Sequence, residues 1–143
     1  ASTVQIAGIF YGCTYLNSSV GRRVWANNWP GTTHGSDAVA YLNTDPQSLF
    51  LIQSLNTAVV FADIDANINF AIGAPDAVTG ISTTSIDQST IATTDTLPFR
   101  IIGLYSDYET ASGAVNGTDN ASAYNRIIVA PNYWDRTSRL GIV

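Results

Sequence analysis

The stretch "NRIIVAPNYW", Asn125 to Trp134, decides the fold class. Ile127, Ile128 and Val129 are consecutive β-branched residues, which suit a pleated, buried strand. Pro131-Asn132 then closes the run as a turn signal. "FRIIGLYS", Phe99 to Ser106, reads the same way. Working outward, "NINFAIG" (Asn67 to Gly73) alternates, and "AVVFADI" (Ala58 to Ile64) has the length of a buried strand. "QSLFLIQS" (Gln47 to Ser54), "AVAYLNT" (Ala38 to Thr44) and "VQIAGIFYG" (Val4 to Gly12) complete the set. Turn signals separate these runs at Asn17-Ser18-Ser19, Trp29-Pro30-Gly31, Asp45-Pro46, Ala74-Pro75-Asp76 and Val115-Asn116-Gly117. No window carries a capped helical stripe. The expected fold is all-β, an antiparallel β-sandwich or barrel, with a jelly roll among the candidates. Residues 1–143 are expected to form a single β domain.

Taking one face of each run puts Phe10, Val24, Trp25, Val39, Phe50, Ile52, Val60, Phe70, Ile102, Leu104, Ile128 and Trp134 in the expected core. "TTSIDQSTIATTDTLPF", Thr83 to Phe99, is poor in large apolar residues and reads as an extended edge or a long loop lying on a neighbour. "ETASGAVNGTDNASA", Glu109 to Ala123, reads as a mobile loop.

Composition bounds the function. Charged residues are 12% of the chain, net charge is −5, and lysine is absent. Nucleic acid and anionic membranes need clustered positive charge, so neither is an expected partner. No apolar run approaches the ~20 residues of a membrane span, and the start "ASTVQIAGIF" lacks the basic region of a signal peptide. A polar but weakly charged surface suits packing against identical copies, because little charge must be desolvated.

Chemistry-bearing groups are sparse. Cys13 is alone and reads as a small core residue rather than a nucleophile. One Cys and one His, His34, cannot make a four-ligand zinc site. "DIDANINF" opens with calcium-loop spacing at Asp63, Asp65 and Asn67, but Ile68 and Ala74 stand where Gly and Glu are required. The expected structure there is a strand, with Asp63, Asp65, Asn67 and Asn69 on one face and Ile64, Ala66, Ile68 and Phe70 on the other. Glu109 is the one glutamate, and the aspartates fall singly in turns, where they cap N–H groups. No catalytic residues, cofactor or metal are expected, and the chain does not read as an enzyme. The sequons at Asn17, Asn116 and Asn120 matter only for a protein secreted by a eukaryote.

"GRRVWANNWPGTTHG", Gly21 to Gly35, gathers two arginines, Trp25, Trp29 and His34. Trp25, Trp29 and Trp134 with Tyr11, Tyr15 and Tyr133 form a sugar-stacking set, helped by Asn27, Asn28, Asn132 and Asp135. The competing reading is that the tryptophans anchor a core or a protein contact.

From Gly12 to Gly73 the chain resembles the capsid decoration (cement) proteins of tailed bacteriophages. The similarity rests on "YGCTY", "VWANNWP", "AVAYLNTDP", "FLIQ" and "IDANINF", and downstream on "TDTLPFRIIGLYSD" and "NRIIVAPNYW". It implies a non-enzymatic all-β virion protein on the capsid exterior that stabilises contacts between capsomers. The implied partners are the major capsid protein and copies of itself, as a homo-oligomer. Arg22, Arg23, Trp25 and Trp29 are then the candidate interface, with the arginines pairing to a neighbour's carboxylates. The alternative is a lectin-like or receptor-binding β domain on a virion surface.

Overall fold

The computed structural model describes residues 6–31, 37–76, 78–106 and 118–134. Among these residues eight strands form two antiparallel sheets: β1 (Ile9–Asn17), β2 (Arg22–Ala26) and β3 (Val39–Asn43) in one, and β4 (Phe50–Gln53), β5 (Asn67–Ala71), β6 (Ser85–Ala92), β7 (Phe99–Leu104) and β8 (Arg126–Pro131) in the other. The small sheet has the order β2-β1-β3, the large one β4-β8-β7-β5-β6. The fold is therefore the all-β sandwich expected. Its strands divide sequentially between the sheets, without the passage back and forth of a jelly roll's two Greek keys.

The β1–β2 hairpin turns through Asn17 to Gly21. Asn17 Oδ1 accepts from Ser19 N–H at 2.9 Å, its carbonyl accepts from Gly21 N–H at 2.8 Å, and Gly21 takes the φ of 64° that suits glycine. Thr83 to Phe99 supplies β6 at the end of the large sheet, so the extended-edge reading holds. Ile86 within it is fully buried, so this strand belongs to the core. "AVVFADI" differs from expectation: Phe61–Asp63 form one 3-10 turn, with Asp63 Oδ2 accepting from Val60 N–H at 2.9 Å. "DIDANINF" is strand only from Asn67. Asp65 instead adopts a left-handed φ of 74° and pairs with Arg100.

The large sheet curls until its outer strands meet. Ser54 bridges Ile86, and Leu55 N–H donates to the Ile86 carbonyl at 2.8 Å, tying the end of β4 to β6. Inside lie Val59, Ile68, Ile86, Phe99, Ile101, Leu104, Ile127, Val129 and Trp134. Trp134 stacks on Phe50 at 5.6 Å between ring centroids and meets Phe99 edge-on at 5.9 Å.

Trp134 and Leu104 are core residues as expected, and Phe50, Ile52 and Phe70 pack half-buried against them. Val24 and Ile128 are only half-buried. Five others are exposed: Phe10, Trp25, Val39, Val60 and Ile102. Bulges explain the phase error in β7. Between Ile101 and Gly103 the register with β8 shifts by one, so Ile101 and Leu104, three apart, both point inward opposite Val129 and Ile127. Strict alternation from Leu104 selects Ile102 instead. A second bulge between Phe10 and Gly12 disturbs β1 in the same way. Val60 leads into the 3-10 turn rather than lying in a strand.

One buried amide joins the closing segment to the sheet. Asn125 Oδ1 accepts from Val59 N–H at 3.1 Å, and its Nδ2 donates to the carbonyls of Val59 at 2.8 Å and Asp119 at 2.9 Å. Asn125→Ala strands buried backbone groups of Val59 and should lower unfolding free energy by about 2–4 kcal/mol in urea titration. Ser54 Oγ is fully buried with no hydrogen-bond partner among the described residues, so Ser54→Ala should be neutral or stabilising by up to about 1 kcal/mol in the same titration.

Candidate functional site

The described aspartates other than Asp95 serve turns and surface ion pairs. Asp45 accepts from Gln47 N–H, Asp87 from Ser89 N–H, and Asp119 from Ala121 and Ser122 N–H. Asp37 pairs with Arg23, and Asp65 with Arg100. Among the described residues no three His, Cys, Asp or Glu side chains gather as a metal site. Cys13 is buried, with its thiol 3.5 Å from the Asn28 carbonyl, as the core reading requires. His34, Glu109, Asp135 and Asn116 lie outside the described residues, as does most of the Glu109 to Ala123 loop.

The small sheet divides the tryptophan stretch between its two faces. Trp25 pairs in register with Thr14, one residue out of phase with the buried Cys13 and Tyr15. Its ring therefore lies on the outer face, over Gly12, where an added Cβ would collide with the indole. Tyr11 and Tyr41 flank it, with centroids 6.2 and 5.2 Å away. Tyr11 is 75% exposed, Trp25 49% and Tyr41 45%, so the cluster belongs to the surface rather than the core. Exposed Leu16 and Val39 extend it. Trp25 was expected in the core. It is exposed because no second layer covers this face among the described residues.

The two arginines of the stretch differ in their partners. Both are exposed on β2, but Arg23 is engaged within its own chain by Asp37, whose Oδ1 also accepts from Leu16 N–H at 3.0 Å. That ion pair fixes the segment before β3 against β1. Arg22 makes no ion pair among the described residues.

Trp29 goes to the inner side, edge-on to Tyr15 at 5.9 Å. There it lines a cleft of about 890 Å³ between the sheets, facing Phe10, Phe70, Ile72 and Phe99. Asn27, Asn28, Asp76, Ser82 and Thr84 supply the polar part of the lining. Gly80, at φ 70°, lies so close to the Asn28 amide that a side chain would displace it. The Thr79 hydroxyl, with the Val78 and Thr79 N–H groups, holds the Asp76 carboxyl below its usual range, so it stays ionised at the cleft well into acid.

The six aromatics of the sugar-stacking set do not converge. Trp134 and Tyr15 are buried, Tyr133 is half-buried next to Trp134 in the chain, Trp29 lines the cleft, and Trp25 and Tyr11 are on the opposite face. The Trp25 ring is inclined 59° to Tyr11 and 47° to Tyr41, so these rings pack on one another rather than presenting one flat platform. The sequence marked a turn at Ala74-Pro75-Asp76 but not the place of Asp76 and Gly80 at the cleft, and it did not single out Tyr41. The available signal for the aromatic face was Gly12 inside a strand pattern, which marks close approach by another group.

Comparison with known protein families, curated proteins and solved structures gives no match.

Because Trp25 is half-exposed, Trp25→Ala should cost only about 1–2 kcal/mol, against about 3–5 kcal/mol for Trp134→Ala. Chemical denaturation of the two variants side by side checks the difference.

Proposed function

We propose that this chain is a structural virion protein that decorates the outside of a tailed-phage capsid and stabilises contacts between capsomers. The observation that carries the reading is the exposed, uncharged aromatic face of Tyr11, Trp25 and Tyr41 on the small sheet. Aromatic residues presented this way are what protein interfaces use as anchors, because rigid rings bury large area at low entropic cost. The family resemblance supplies the partner, and the aspartates' employment in turns and ion pairs agrees with a role in binding rather than catalysis. The large sheet holds the fold, leaving the small sheet's outer face to lie on the shell.

Co-sedimentation with capsids of its own phage tests this. Wild-type protein should pellet with the shells, and Trp25→Ala should weaken binding at least tenfold while circular dichroism stays unchanged. Binding should fall only modestly up to ~1 M salt, because the contact face carries few charges. Complete release by salt, or no binding at all, refutes the reading.

A second reading has its own observation. The cleft places an indole, two amides and a carboxylate together, the groups that stack on and hydrogen-bond a sugar. On that reading the chain is a lectin-like domain of a virion surface. A glycan array with Trp29→Ala as the control decides it: binding that Trp29→Ala abolishes supports the lectin.

A further inference from the structure

We infer that β3 is a self-pairing edge, through which two copies of this chain join antiparallel about a two-fold axis into one six-stranded sheet. Among the described residues β3 has a single strand partner, β1. On its far side no described strand takes up the main-chain N–H and C=O groups, for which another strand is the natural complement.

The other edges of the fold are guarded. β2 begins with the exposed Arg22, a charge that disfavours strand addition, while Arg23 turns instead to Asp37 before β3. β4 and β6 are tied to each other through Ser54, Leu55 and Ile86. β3 has no such device. From Ala38 to Thr44 it contains no charge and no proline, the chain has no lysine to place there, and the bulge facing it lies in β1. All five residues of β3 are exposed. Val39 and Tyr41 alternate with Ala40 and Leu42, so apolar side chains stand on both faces of the edge.

Three features favour a second copy as the occupant. Each chain carries a net charge of −5, so two copies repel except where charge is locally absent, and the Ala38 to Thr44 window is uncharged. Asp37 at its start is already neutralised by Arg23. A short strand with alternating apolar residues also matches itself when reversed, which is the self-complementarity a two-fold contact requires. In the joined sheet the Tyr11–Trp25–Tyr41 clusters of the two copies become neighbours on one continuous face. Five residues a side fall short of the ~800 Å² per partner of a standard interface, so the dimer should be weak, with Kd on the order of 10–100 µM. Salt should strengthen it by screening the net charge, opposite to an ion-pair contact.

The test uses the full chain first without capsids, where its outcome is independent of the decoration reading, and then with them. Sedimentation velocity from about 5 to 500 µM should show a monomer–dimer equilibrium, and hydrogen exchange over the same range should show protection gained within Ala38 to Thr44. Ala40→Lys and Leu42→Lys, both on the face away from Trp25, should each weaken dimerisation at least tenfold, while Val20→Lys in the β1–β2 turn should not. If a β3 variant misfolds, the exchange map of the wild type decides. A monomer throughout, or protection confined to other segments, overturns the inference. So does β3 protection that appears only on capsids, which makes the capsid protein the strand donor. A β3-mediated dimer that ignores capsids upholds self-pairing and refutes decoration.

Discussion

The Asn125 amide is the interaction on which the larger sheet depends. The chain from Ser54 to Val59 crosses the gap where a five-stranded sheet would otherwise end in two open edges. It is held on one side by Leu55 N–H donating to Ile86 and on the other by Ser54 N–H donating to the Asn125 carbonyl. The Asn125 side chain then takes both backbone groups of Val59, 66 residues away in sequence. A buried backbone segment outside the ladder needs partners for its N–H and C=O groups, and one carboxamide, donor and acceptor together, supplies both. Tyr124 beside it adopts φ 64°, a left-handed conformation that costs roughly 1–2 kcal/mol for such a residue. It is held there with its N–H bonded to the Leu55 carbonyl, so the clamp and the strained residue act as one unit.

Closure of the large sheet separates the work of the two layers. Ile68, Ile86, Ile101, Ile127 and Val129 are sequestered where β4 and β6 approach, and Trp134 plugs the same core. The small sheet contributes Cys13 and Tyr15 to burial but leaves its outer face and the β3 edge open. Among the described residues the buried core thus lies mainly in one sheet and the exposed aromatic cluster in the other. An exposed aromatic face is tolerable there because substitutions on it disturb few core contacts.

Local irregularities tune the surfaces. The β1 bulge beside Gly12 makes room for Trp25 to lie on the strand, which places the indole between Tyr11 and Tyr41. In β6 the Thr90 hydroxyl accepts from Asn69 N–H at 2.9 Å and donates to the Asp87 carbonyl at 2.6 Å, replacing ladder bonds where the β5–β6 register shifts. Both devices keep backbone groups satisfied while redirecting a strand.

The sequence by itself determined the all-β class, six of the eight described strands in outline and several turn positions, because β-branched runs and Asn, Asp, Gly and Pro punctuation act locally. It also marked Trp134 and Leu104 for the core and Trp25 and Trp29 as residues to watch. Tertiary structure decided the phase. Ile101 rather than Ile102 is inside because a bulge adds one residue to β7, and no residue type announces a bulge. Ile127 and Val129 rather than Ile128 are inside because the pairing of the regular strand β8 with β4 and β7 sets which of its sides meets the core. It also sent Trp25 to an open face and Trp29 to a cleft, gave Arg23 to Asp37, and joined Asn125 to Val59. Each of those outcomes depends on which distant strand becomes a neighbour, and pairing between segments far apart in the chain is set by the whole core rather than by any local run.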